Sequence, residues 1–133
     1  GPQMPAATRE ALTQRAAANP GILLKDYVTD FPAYLRRAAL SISMAGYNTC
    51  MDILTSGVRA VVYPFAGNEN QEQTMRAAKL AAQGRVRMIP SGELTPERLV
   101  DEALRALATP DALLQSTLDT NGAEKTVAIL QEL

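Results

Sequence analysis

The chain predicts an α/β domain built on a Rossmann-like parallel sheet flanked by helices. Three observations carry that prediction. Short apolar or β-branched runs alternate with longer stretches at helical spacing. Glycines close successive helical stretches, at Gly57 and Gly84. A length of 133 residues, 47% hydrophobic and 20% charged, suits one core better than two. Strands that alternate with helices pair in parallel through right-handed crossovers.

The elements follow in order. Residues 6–18, AATREALTQRAAA, form a good helix ended by Asn19-Pro20-Gly21. The apolar run ILLKDY, residues 22–27, is bounded by turn residues and predicts a first strand. Asp30 caps a helix carrying Phe31, Tyr34, Leu35 and Ala38, with Pro32 tolerated in its first turn. ALSISM is the second strand, YNTCMDILTSG a helix closed by Gly57, and VRAVVYP a buried strand. NQEQTMRAAKLAAQG is a helix closed by Gly84, and RVRMIP the fourth strand. In LTPERLVDEALRALA, Thr95 caps, Pro96 takes the first helical position, and Leu99, Ala103, Leu104 and Leu107 make the inward stripe. Asp111 to Leu118 and Ala123 to Leu133 read as two final helices broken at Asn121-Gly122, a helical extension over 109–133.

Composition excludes several function classes. A formal charge of -1 and a pI near 5.4 give no general attraction for nucleic acid or an anionic membrane, so any anion site is local. No run approaches the ~18 apolar residues of a transmembrane helix, and nothing resembles a signal peptide. The lone Cys50 cannot form an intrachain disulfide, which fits a reducing, cytoplasmic setting. Histidine is absent, so no histidine acid, base or ligand exists, and one cysteine cannot complete a zinc set. No metal or cofactor is expected. The opening GPQMP has the character of a loop that follows a strand.

Ligands of open α/β sheets bind outside the carboxyl ends of the strands, which gathers Tyr27-Val28, Ala45-Gly46, Pro64 to Asn70 and Pro90-Ser91. Gly46 lets strand pass tightly into helix, and the amides of Tyr47, Asn48 and Thr49 fall at a helix start, where unpaired N–H groups and the helix dipole hold phosphate. Asp52, three residues after Thr49 and four after Asn48, shares their face and can accept from two ribose hydroxyls. The same pattern also describes a plain turn with a solvated acid. Glu72 and Gln73 open the next helix, where amide and carboxylate groups suit sugar hydroxyls or face solvent. Tyr27 and Val28 can flank a flat base or pack at the rim.

Taken in order, KDYVTDFPAYLRRAALSISMAGYNTCMDILTSGVRAVVYPFAGNENQEQTMRAAKLAAQG, followed by LTPERLVDEALRAL, resembles the C-terminal domain of GT-B glycosyltransferases. The nearest type is the peptidoglycan N-acetylglucosaminyltransferase family with its related predicted bacterial glycosyltransferases. The resemblance covers roughly Ile22 to Leu107. It implies that the domain binds a nucleotide-sugar donor, with a UDP-sugar as partner, for metal-independent, inverting transfer to an acceptor. Tyr27 and Val28 would border the uracil, with Gly46, Tyr47, Asn48 and Thr49 on the diphosphate. Asp52 would meet the ribose and Glu72 and Gln73 the donor sugar.

Asp52 stands where the family usually has glutamate, one methylene longer, and Glu72 replaces the first of a glutamine pair. The loop before that pair is one residue longer than usual. The resemblance also implies a preceding strand, a glycine-rich loop and an N-terminal domain carrying the acceptor site and base. By itself the chain is then expected to be a catalytically silent fragment. Two other functions share these residues: a nucleotide-sugar epimerase or hydrolase on the same fold, and a non-catalytic α/β regulatory module.

Overall fold

A computed structural model describes residues 4–65 and 71–110, and these fall into two units divided between Phe31 and Pro32. The expected helices over 111–133 lie outside the described residues.

In the first unit, helix α1 (Ala6–Ala17) starts after Pro5 and buries none of its residues. The Asn19 side chain accepts from the Gly21 N–H at 3.0 Å, which fixes the turn that ends α1. Arg9 forms an ion pair with Asp26. The strand expected over Ile22–Tyr27 does not form. Its apolar side chains are exposed, Leu23 at 78% and Tyr27 at 79%. A strand requires a neighbouring strand for its backbone hydrogen bonds, and the three-stranded sheet lies wholly in the second unit. Apolarity alone could not supply that neighbour.

The second unit holds the sheet. Helix α2 (Phe31–Arg37) buries Leu35 and leads to strand β1 (Ser41–Met44). Helix α3 (Tyr47–Ser56), strand β2 (Ala60–Tyr63), helix α4 (Gln71–Ala82), strand β3 (Arg87–Met88) and helix α5 (Pro96–Leu107) follow. The strands lie in the order β1-β2-β3 and are parallel, with Ser41 opposite Ala60, Met44 opposite Tyr63, and Val62 opposite Met88. The architecture is the Rossmann-like α/β arrangement expected, with three strands among the described residues rather than four.

β2 lies between the other strands and is apolar on both faces, as a parallel strand covered by helices must be. One face packs Val62 and Ala60 against Cys50 and Ile53 of α3 and Ala77 and Leu80 of α4. The other packs Val61 and Ile89 against Ala106, with Leu99 at its margin. Gly57 ends α3 at φ 68, a left-handed conformation that favours glycine, and its N–H reaches the Ile53 carbonyl at 3.0 Å.

The inward stripe of α5 differs from the expected one. Ala106 and Glu102 are buried and Leu99 and Ala103 half-buried, whereas Leu104 and Leu107 are exposed. Positions 99, 102, 103 and 106 still make one helical face. The helix is rotated because Glu102 pairs with Arg87 of β3 and with Arg98 at 3.5 Å, and a buried carboxylate is tolerated when paired in this way. Thr95 caps α5 as expected, its hydroxyl accepting from the Arg98 N–H at 3.1 Å.

Candidate functional site

The carboxyl end of β1 builds the site. Beyond Met44 the ladder continues for one residue, the Ala45 N–H donating to the Tyr63 carbonyl at 3.2 Å. Gly46 then occupies the N-cap of α3 at φ -63 and ψ 151, and the first helical bond runs from the Cys50 N–H to the Gly46 carbonyl at 3.0 Å. The N–H groups of Tyr47, Asn48 and Thr49 therefore precede the first residue that has a helical acceptor, and the positive end of the helix dipole lies with them.

The role expected of Gly46 changes in one respect. Its φ is open to any residue, and a methyl group added there would meet only the Thr49 hydroxyl, at 3.9 Å. The strand-to-helix passage does not require a glycine. Gly46 places no side chain of its own over the start of α3.

Asn48, Thr49 and Asp52 occupy one side of α3 by their spacing, Asn48 exposed and the other two half-buried. Asp52 has no hydrogen-bond or ion-pair partner among the described residues, so its carboxylate keeps its full accepting capacity. Glu72 lies in the first turn of α4 with its side chain 84% exposed. The Gln73 side-chain carbonyl accepts from the Phe65 N–H at 3.1 Å. That bond fixes the chain leaving β2 and leaves the Gln73 amide NH2 as the group available to a ligand. Residues 66–70 of this loop lie outside the described residues. Tyr27, exposed, and Val28, half-buried, belong to the first unit.

Arg76 joins the two helix starts and was not among the residues singled out from the sequence. Its guanidinium donates to the Ala45 carbonyl at 3.1 Å, lies 5.3 Å from the centroid of the Tyr47 ring and stands 3.8 Å from the Glu72 carboxylate. The signal was present: Arg76 is three residues after Gln73 and four after Glu72, on one helical face. Beneath the site, burial pushes the Cys50 thiol above its ordinary range, and the Arg76 charge draws it partly back.

The model of the glycosyltransferase family 28 C-terminal domain matches residues 5–132. The chain belongs to this family. A UDP-N-acetylglucosamine--N-acetylmuramyl-(pentapeptide) pyrophosphoryl-undecaprenol N-acetylglucosamine transferase from Sinorhizobium fredii is 36% identical over 67% of this chain and 24% of its own length. The protein of the same name from Sinorhizobium medicae is 31% identical over 80% of this chain and 30% of its own. Among solved structures, MurG from Acinetobacter baumannii superposes with a TM-score of 0.75 at 25% identity, covering 98% of this chain and 39% of that one. The glycotransferase of kitacinnamycin gives a TM-score of 0.62 at 26% identity over 71% of this chain. The chain thus spans about a quarter to a third of the length of the curated relatives it matches. These matches favour glycosyl transfer over the epimerase, hydrolase and regulatory readings. No helix among the described residues is long and apolar enough to cross a membrane.

Proposed function

We propose that residues 1–133 are the donor-binding part of a GT-B glycosyltransferase and that this family 28 domain takes a UDP-sugar. The observation that carries the reading is the start of α3: Gly46 sits at its N-cap in a conformation that does not require glycine, followed by three N–H groups that precede the first residue with a helical acceptor. Three amides and the helix dipole suit a diphosphate without a metal ion. Arg76 adds a full positive charge beside the same turn. As the glycosidic bond breaks, charge accumulates on the nucleotide diphosphate, and donors already fixed by α3 stabilise it without reorganising.

In this reading Asp52 accepts from the ribose hydroxyls, and Glu72 and the Gln73 amide meet the sugar. Transfer is inverting and metal-independent. The acceptor and the general base belong to another domain of the same protein, and the reaction is cytoplasmic, where nucleotide sugars and a reduced Cys50 are compatible. The names of the curated relatives make UDP-N-acetylglucosamine the first donor to try.

The test is a calorimetric titration of the chain, and of a longer protein containing it, with UDP-N-acetylglucosamine, UDP, GDP and ADP. Saturable binding that prefers the uridine ligands and shifts the amide resonances of residues 46–49 is the expected result. Absence of nucleotide binding by the longer protein overturns the proposal.

A further inference from the structure

The first turn of α4 presents two adjacent side chains of opposite hydrogen-bonding sense. The side-chain carbonyl of Gln73 is taken by the Phe65 N–H at 3.1 Å, so toward a ligand Gln73 offers its N–H donors. Glu72 offers the reverse, because a carboxylate only accepts and carries a full negative charge. Its side chain is 84% exposed, so the fold does not need it for packing.

One guanidinium ties Glu72 to the start of α3. Arg76 stands 3.8 Å from the Glu72 carboxylate, donates to the Ala45 carbonyl at 3.1 Å and lies 5.3 Å from the centroid of the Tyr47 ring. A single side-chain head group thus bridges the carboxylate and the turn that precedes the amides of Tyr47, Asn48 and Thr49. At 3.8 Å and with Glu72 exposed, the pair is longer than a hydrogen bond and leaves the carboxylate its accepting capacity. Arg76 is the cation paired with Glu72 among the described residues, and the Ala45 carbonyl already shares it.

We infer that Glu72 is a specificity-determining residue of the donor site, one that selects a neutral sugar and rejects a sugar bearing a carboxylate. The inference rests on the donor reading above, in which the sugar follows the diphosphate from α3 toward α4. Hydroxyls of a neutral hexose donate to the Glu72 carboxylate, while other oxygens of the same ring accept from the Gln73 amide. A uronic acid instead brings a second anion against the first, and neither carboxylate can donate to the other. Selection of this kind comes from the repulsive element as much as from the attractive one. Glutamine in place of Glu72 would remove the repulsion and add a donor that either sugar can use.

The test titrates a longer protein containing this chain with UDP, UDP-glucose and UDP-glucuronate, the two sugars differing only in a hydroxymethyl against a carboxylate group. UDP-glucose is expected to bind roughly tenfold more tightly than UDP-glucuronate, as like charges held close at a protein surface require. Glu72→Gln, a nearly isosteric change at an exposed position, brings the two affinities within about threefold of each other. The ratio of the two ligands cancels whatever the substitution does to the UDP half that they share, including any release of Arg76. Equal affinities in the parent, a preference for UDP-glucuronate, or a ratio that Glu72→Gln leaves unchanged overturns the inference, while saturable binding of UDP in the same experiment upholds the donor reading. Failure of UDP itself to bind overturns both.

Discussion

The guanidinium of Arg76 lies over the Tyr47 ring, 5.3 Å from its centroid, while donating to the Ala45 carbonyl at 3.1 Å. A residue of α4 thereby holds the turn that opens α3, and it does so from the side of the helix start where phosphate is proposed to bind. Arg76→Ala is expected to weaken UDP-sugar binding by about 1–3 kcal/mol, with Arg76→Lys recovering only part, since an ammonium keeps the charge but not the fork. Calorimetric titration of the two variants checks this. Equal affinity in all three proteins would remove Arg76 from the site.

Gly46 separates stability from binding. With φ at -63 and 3.9 Å of clearance inside the fold, Gly46→Ala should leave the unfolding free energy within about 1 kcal/mol of the parent. The added methyl group stands where the diphosphate would approach, so affinity for UDP should fall more than tenfold. Denaturant melts and a UDP titration on the same variant give the two numbers. A large loss of stability would mean that the glycine serves the turn after all.

Asp52 offers a discriminating pair of ligands. Asp52→Ala is expected to cost about 1–3 kcal/mol of UDP binding and nothing measurable with pyrophosphate, which has no ribose. Since the carboxylate has no partner among the described residues, stability should change by less than about 0.5 kcal/mol. Unchanged UDP affinity would reassign the ribose contact.

Cys50 sets a pH dependence whose sign is fixed. Burial raises the thiol in the folded chain, with the Arg76 charge opposing more weakly, so the unfolded chain releases this proton first as pH rises. The contribution to stability is complete below the ordinary thiol range and is lost as pH climbs through it toward the raised folded value. Urea midpoints measured from neutral to alkaline pH should fall more steeply for the parent than for Cys50→Ala. Iodoacetamide labelling should be slow in the native chain, where Cys50 is 1% exposed, and rapid in urea.

Much of the fold was legible because its signals are local. Thr95 before Pro96 announces a helix start, Gly57 a helix end, and the β-branched run around Val61 and Val62 a strand buried on both faces. The same holds for the head of α3, where sequential residues from Gly46 to Asp52 lie in register simply because a helix puts them there. Local rules failed where an outcome depended on a distant neighbour. ILLKDY has the composition of a strand, but a strand exists only when another chain segment takes its hydrogen bonds.

The sequence by itself determined the alternation of helix and strand, the family, and the row of candidate groups from Gly46 through Asp52 to Gln73. Only the tertiary structure decided that Arg76 bridges two helix starts, that Gln73 has its carbonyl bound to the Phe65 N–H, and that Glu102 faces inward to Arg87 while Leu104 faces out. The reason is physical: periodicity fixes which residues share a face, but the rotation of that face toward the core is settled by the partners it meets, and a buried carboxylate with two arginines can outweigh an exposed leucine.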